Sequence, residues 1–130
     1  MTGAWEETEM QRAFHVAIAD DWEMSLGLGE YEAATRGLAW EPGDFIRATT
    51  ADGIQGVLDA KYGDLTLPLL LVCIDTDALA ASGVEVDHEA GSTTVRIDGP
   101  LPSGDPGVIR EIIPLRRDQQ RWMAPVDLGD

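Results

Sequence analysis

The eight residues GDFIRATT, at positions 43–50, decide much of the fold because a strand pattern there passes directly into a helix pattern. Arg47 and Thr49 share one face of the predicted strand, and apolar side chains occupy the other. Thr49 or Thr50 then caps a helix predicted over residues 51–62. Polar side chains that converge at a strand end are how small α/β domains build ligand clefts. The stretch therefore predicts both a structural element and a candidate site.

A second strand with a polar side chain lies near the start of the sequence. Residues 12–18 alternate, with Phe14 and Val16 on one face and His15 on the other. A histidine here can hold a phosphate or hydroxyl group, or transfer a proton. The alternative is a core histidine whose ring is satisfied by the backbone, and the residues leave both open. In the first case we expect His15 and Arg47 to lie on neighbouring strands and to face one cleft.

The rest of the pattern predicts an α+β domain. Residues 67–74 form an almost continuous aliphatic run, which is typical of a central strand buried on both faces. Short helices are predicted at 21–26 and 75–81, and further strands at 84–87, 92–97 and 108–115. Two early helices and a strand-rich remainder fit the α+β class. We divide the chain into an acidic N-terminal arm (1–11), a single domain (12–116) and a C-terminal tail (117–130).

Composition restricts the classes of partner. The chain has 130 residues, which is the length of one domain, and a net charge of -15 from 24 acidic and 9 basic residues. Such a surface repels nucleic acid and anionic lipid, since phosphate contacts need clustered Lys and Arg. No apolar run approaches the ~20 residues of a membrane span. The sequence therefore predicts a cytoplasmic protein with a small-molecule ligand, without a nucleic-acid or membrane partner.

Two groups of residues are candidates for ligand binding. Arg47 with Thr49 and Thr50 forms one, because a planar guanidinium beside hydroxyl groups can clamp an anion. Arg96 and Asp98 form the other, since they share a face of a later strand. The alternative for both groups is ordinary pairing with the many surface carboxylates.

The remaining polar and sulfur-bearing residues give weaker signals. Glu111, in the last predicted strand, is a further carboxylate candidate. His15 and His88 lie far apart without a second local ligand, and the acidic clusters lack the spacing of a calcium loop, so no metal site is predicted. Cys73 lies within an aliphatic run and is interpreted as a core residue.

Ordered segments over about residues 13–116 together carry a family resemblance. They are Phe14-His15-Val16, Asp21-Trp22, Gly29-Glu30-Tyr31, residues 44–50, Gln55 with Tyr62-Gly63, residues 69–75, Gly99-Pro100-Leu101-Pro102 and residues 109–115. In this order they resemble the bacterial domain-of-unknown-function family 952. That family is similar in motif order to the RNA 2′-phosphotransferases and, through them, to the ADP-ribosyltransferase fold.

The resemblance implies an ADP-ribosyltransferase-like split pair of small β-sheets with two main helices, and a cleft that in relatives holds NAD or an ADP-ribosylated intermediate. His15 and Arg47 would hold ribose and phosphate, and Asp98 or Glu111 would stabilise an oxocarbenium-like centre. Two departures bear on activity. Arg47 stands where the family has His and cannot act as a base near neutral pH, and Arg96-Ile97-Asp98 replaces a His-aliphatic-Tyr segment.

The sequence leaves three functions open. The first is transfer or hydrolysis of an ADP-ribosyl or related phosphorylated group, with NAD as the cofactor that the resemblance implies. The second is a degenerate, non-catalytic module that binds such a ligand. The third is a cofactor-independent tailoring enzyme of specialised metabolism.

Overall fold

The computed structural model describes residues 12–29, 46–88 and 91–125, so the predicted N-terminal arm, the segment 30–45 and the last residues of the tail lie outside the described residues. Helices and strands are mixed along the chain, as predicted. The elements in chain order are β1 (Arg12–Ile18), α1 (Ala19–Leu28), β2 (Ile46–Thr49), a 3-10 turn (Ala51–Gly53), α2 (Ile54–Lys61), β3 (Leu69–Asp75), α3 (Thr76–Ala81), β4 (Glu85–His88), β5 (Thr94–Asp98), β6 (Ile109–Pro114), β7 (Arg116–Asp118) and β8 (Arg121–Met123).

Six strands form one antiparallel sheet in the order β4-β5-β2-β1-β3-β6, and β7 pairs with β8 separately. Every residue of β1 pairs with β3, from Arg12 opposite Asp75 to Ile18 opposite Leu69. Between β1 and β2, by contrast, the register of the described residues contains a single pair, Phe14 opposite Thr49. The sheet is therefore divided into two three-stranded halves, β6-β3-β1 and β2-β5-β4. We call the boundary between β1 and β2 the split.

Each face of the sheet carries its own hydrophobic core. The first face contributes alternate residues such as Ala17 and Ile46, which pack with Trp22 of α1 and Leu79 of α3. The second face is covered mainly over β1 and β3, by side chains of α2 and β8. Its buried members are Phe14, Val16, Ile18, Ile54, Leu58, Tyr62, Leu69, Leu71, Cys73, Leu115 and Trp122. Burial of this apolar area on both sides is what favours the folded sheet.

Within the aliphatic run 67–74, burial on both faces is confirmed for the part in β3, where Leu71, Val72 and Ile74 are inaccessible to solvent, whereas Leu67 before the strand is 48% exposed. Its place in the sheet is one strand in from the edge, because β6 lies beyond it and ends the sheet. A continuous apolar pattern indicates that a strand is buried, but it does not indicate the position of that strand in the strand order.

Residues 116–123, where the predicted domain passes into the predicted C-terminal tail, form the β7-β8 hairpin. The hairpin turns at Gln119 and Gln120, whose φ angles are 55° and 67°. Two consecutive residues at positive φ make the tight turn that joins antiparallel strands. Asn-Gly or Asp-Gly indicates such a turn in a sequence, whereas Gln-Gln does not. The sequence pattern therefore did not predict the hairpin.

Candidate functional site

His15 lies at the split and is buried, with 2% of its surface exposed. Its Nδ1 is 2.8 Å from the carbonyl oxygen of Arg47. A carbonyl only accepts hydrogen bonds, so Nδ1 carries the proton of the ring and donates it. Burial lowers the pKa of His15 to about 4, and the bond to the Arg47 carbonyl opposes this only in part. The ring is therefore neutral near pH 7.

His15 and Arg47 lie on neighbouring strands, as expected, but their side chains take opposite faces of the sheet. Ala13 and Ala17, which flank His15 on its own face, belong to the same core cluster as Ile46 and Ala48. Since successive side chains of a strand alternate, Arg47 between the last two points to the second face. The expectation that both side chains face one cleft is corrected: they are linked through the backbone of Arg47.

The second face of β2, β5 and β4 carries a row of charges. Arg47 lies directly opposite Arg96, and Arg96 lies opposite Asp87 on β4. The Nε of Arg96 donates to Asp98 Oδ1 at 2.9 Å, with their side chains 48% and 29% exposed. We call Arg47, Asp87, Arg96 and Asp98 the polar face. Like charges directly opposite one another destabilise a sheet unless an opposite charge lies close.

Thr49 and Thr50 support the strand end. Thr49 is buried, and its hydroxyl donates to the carbonyl of Thr50 at 2.9 Å. A Cβ added to Gly53 would overlap the Thr49 hydroxyl and the Thr93 side chain, so the 3-10 turn packs directly on this strand end. Thr50 precedes that turn without a side-chain capping bond. Thr49 is therefore buried under the 3-10 turn, whereas ligand binding by Thr50 stays a prediction.

Glu111 is not brought to the polar face. It lies on β6 opposite Cys73, at the far side of the sheet from β5. Four strand spacings of about 4.8 Å separate β5 from β6, so the strands that carry Asp98 and Glu111 are about 19 Å apart across the sheet. The two carboxylates therefore do not act on one reacting centre, because β6 pairs with β3 and not with β5.

Sequence reasoning assigned no role in the site to two residues of this region. Asp87 is exposed opposite Arg96, and the alternation of β4 alone would have indicated its face. Tyr62 follows α2 and its hydroxyl donates to the carbonyl of Val16 at 3.2 Å, a contact for which the sequence holds no signal.

Metal and thiol chemistry receive no support from the described residues. Within the described ranges, no group of three His, Cys, Asp or Glu side chains could hold a metal ion. Burial raises the pKa of Cys73 to about 11, so the thiol stays protonated near pH 7, as a core residue would. No helix in the described part of the chain is long and apolar enough to cross a membrane.

The chain resembles solved structures in fold, but not in sequence. No protein-family model and no curated protein sequence matches it. The X-ray crystal structure of protein CC0527 from Caulobacter crescentus matches with a TM-score of 0.63 and 13% identity, over 85% of this chain and 91% of that chain. A double mutant of CC0527 matches with the same TM-score and coverage at 12% identity. At this identity the likeness shows the shared fold alone.

Proposed function

We propose that the chain binds a phosphorylated small molecule, of the ADP-ribose or NAD class, on the polar face of β2, β5 and β4. The observation that carries this proposal is the cross-strand pairing of Arg47 with Arg96. In a chain with 9 basic residues, these two exposed arginines lie directly opposite each other on neighbouring strands. An anionic ligand bound at this pair would use the planar donor fork of each guanidinium.

The carboxylates of the polar face favour a ligand that also carries hydroxyl groups. Asp87 and Asp98 flank Arg96 and can accept hydrogen bonds from sugar hydroxyls, whereas they would repel a bare anion. The net charge of -15 opposes a polyanion such as RNA. A sugar phosphate or a nucleotide of low charge suits this combination.

The split in the sheet supports an ADP-ribosyltransferase-like arrangement of two small sheets, which is part of the same proposal. The halves β6-β3-β1 and β2-β5-β4 meet at the single register pair Phe14–Thr49. Membership of family 952 remains a prediction from the ordered motifs.

The positions of the residues proposed as acid, base or charge-stabilising groups favour binding over group transfer. His15 is buried on the opposite face from Arg47, Asp98 is held by Arg96, and Glu111 is remote. These positions support a ligand-binding module without turnover.

Titration calorimetry with NAD, ADP-ribose and ribose 5-phosphate tests the binding proposal. Arg47→Ala removes a charge-assisted contact of about 1.5–3 kcal/mol, so we expect affinity to fall about tenfold to a hundredfold. Arg116→Ala, at an exposed arginine of β7, is the matched control and should leave affinity unchanged. Absence of binding by all three ligands at millimolar concentration would refute the proposal.

A nicotinamide-release assay separates binding from transfer. We expect no release by the wild type, and the variant Arg47→His restores the residue of the resembled family at this position. Release of nicotinamide by the wild-type protein would show that it is a transferase or hydrolase instead.

A further inference from the structure

Two side chains from opposite faces replace strand pairing at the split. The register sets Phe14 opposite Thr49, so a continued ladder would place Val16 opposite Arg47. That pair is absent from the register. Instead, the Arg47 carbonyl accepts from Nδ1 of His15 at 2.8 Å, and the Val16 carbonyl accepts from the hydroxyl of Tyr62 at 3.2 Å.

The directions of the backbone N–H and C=O groups agree with this replacement of strand pairing by side-chain hydrogen bonds. The amide of Thr50 donates to the Thr93 carbonyl, on the β5 side of the strand. The N–H and C=O of one strand residue point to the same neighbouring strand, and successive residues alternate, so those of Thr49 and Arg47 point toward β1. The Arg47 carbonyl therefore points into the split, where the imidazole of His15 meets it.

We propose that His15 and Tyr62 form a clasp across the split, and that through this clasp His15 is a positioning residue that holds Arg47 opposite Arg96. The clasp is defined by the two hydrogen bonds from these side chains to the carbonyls of Arg47 and Val16. A fixed carbonyl orientation fixes the peptide plane after Arg47 and with it the direction in which the guanidinium leaves the strand. The positioning role rests on the proposed binding function, whereas the clasp itself does not.

The chemical nature of residue 15 agrees with such a role. Its neighbours on the same face are small or aliphatic, namely Ala13, Ala17 and the cross-strand Val72. A buried imidazole costs desolvation that an aliphatic side chain in this position would avoid. The bond to the Arg47 carbonyl offsets that cost and couples β1 to β2. Tyr62 contributes from the second core, where its ring is packed with 2% exposure.

Three variants test the clasp and the positioning role together. His15→Leu removes the donor, His15→Asn keeps an amide donor close to the place of Nδ1, and Tyr62→Phe removes only a hydroxyl. Hydrogen–deuterium exchange of residues 46–49, with residues 69–75 as the internal reference, measures how firmly β2 is held. Calorimetry with ADP-ribose measures binding.

If the inference is right, His15→Leu and Tyr62→Phe speed exchange in 46–49 roughly tenfold without changing 69–75, in line with one lost buried hydrogen bond. His15→Leu also weakens ADP-ribose binding about fivefold or more, and His15→Asn restores most of both properties. Rescue by Asn separates a positioning role from simple packing, because Asn fills the cavity less well than Leu.

Each contrary result has its own meaning. Unchanged exchange of 46–49 in the variants overturns the clasp. Wild-type affinity in His15→Leu, beside weakened affinity in Arg47→Ala, overturns the positioning role while the proposed function stands. If the wild type binds none of the ligands, the proposed function and the positioning role both fail, and exchange alone decides the clasp. If His15→Leu does not fold, exchange and binding of Tyr62→Phe decide the question.

Discussion

His15 illustrates how much the environment of a single side chain changes its chemistry. In water an imidazole titrates near 6.5, but burial in this sheet lowers its pKa to about 4. The ring therefore enters the folded state neutral and donates through Nδ1 to the Arg47 carbonyl. A residue whose type suggests acid-base chemistry acts here as a hydrogen-bond donor between strands.

This pKa predicts how stability depends on pH. In the unfolded chain His15 takes up a proton as pH falls through 6.5, whereas in the folded chain it resists protonation until about pH 4. Protonation thus favours the unfolded state in that window, and stability from this group is complete only above about pH 7. We expect the free energy of unfolding to fall by about 2 kcal/mol between pH 7 and pH 5 on account of His15.

Urea unfolding at pH 7, 6 and 5 checks this expectation. His15→Asn should lose this part of the pH dependence, whereas His88→Asn, which changes the half-buried histidine of β4, should keep it. Equal declines in the wild type and His15→Asn would contradict the assignment.

At the scale of elements, the C-terminal hairpin is held against α2 by polar contacts. The side-chain amide of Gln55 donates to the Trp122 carbonyl at 2.8 Å and accepts from the amide of Ala124 at 2.9 Å. The indole of Trp122 donates to the Leu65 carbonyl at 2.9 Å. Arg121 hydrogen-bonds to Asp59 on the same helix and lowers the pKa of that carboxyl. The hairpin thus completes the core on the second face.

Trp122 should carry most of this attachment. It is 4% exposed within the second core, and truncation of a buried Trp costs roughly 3–5 kcal/mol, so we expect Trp122→Ala to lower the free energy of unfolding by that amount. Met123→Ala is the control, because Met123 is 36% exposed on the same strand and should cost far less. Urea midpoints measure both, and similar losses in the two variants would show that the hairpin does not belong to the core.

At the scale of the whole molecule, charge repulsion works against folding. The net charge of -15 is held on a surface of a 130-residue chain, and the compact state brings these carboxylates closer together. Salt screens such repulsion over about 10 Å at 0.1 M. We therefore expect the urea midpoint to rise when NaCl is increased from 10 to about 300 mM.

Choline chloride at equal ionic strength is the control for this measurement, because it screens charge without a small cation that could bind carboxylates. Equal rises in the two salts would indicate screening. A midpoint that falls with salt would contradict the prediction and would indicate that attractive ion pairs dominate.

Elements whose signals are local could be predicted from the sequence. The alternation of residues 12–18 corresponds to β1, the aliphatic run near residue 70 corresponds to β3, and Asp75 caps α3 by accepting from the Ala78 amide at 3.0 Å. In each case the side chains that determine the element are close to one another in the sequence. The sequence by itself also determined the acidic surface and the residue types of the candidate site.

Only the tertiary structure decided how these elements meet. It set Arg47 opposite Arg96, turned His15 to the other face, and kept Glu111 at the far side of the sheet. Register and strand order arise from competition among contacts between distant segments, and a shift of one residue would exchange the faces of an entire strand. The physical reason is that side-chain periodicity is a local property, whereas the choice of neighbour depends on which pairing buries both faces of the sheet.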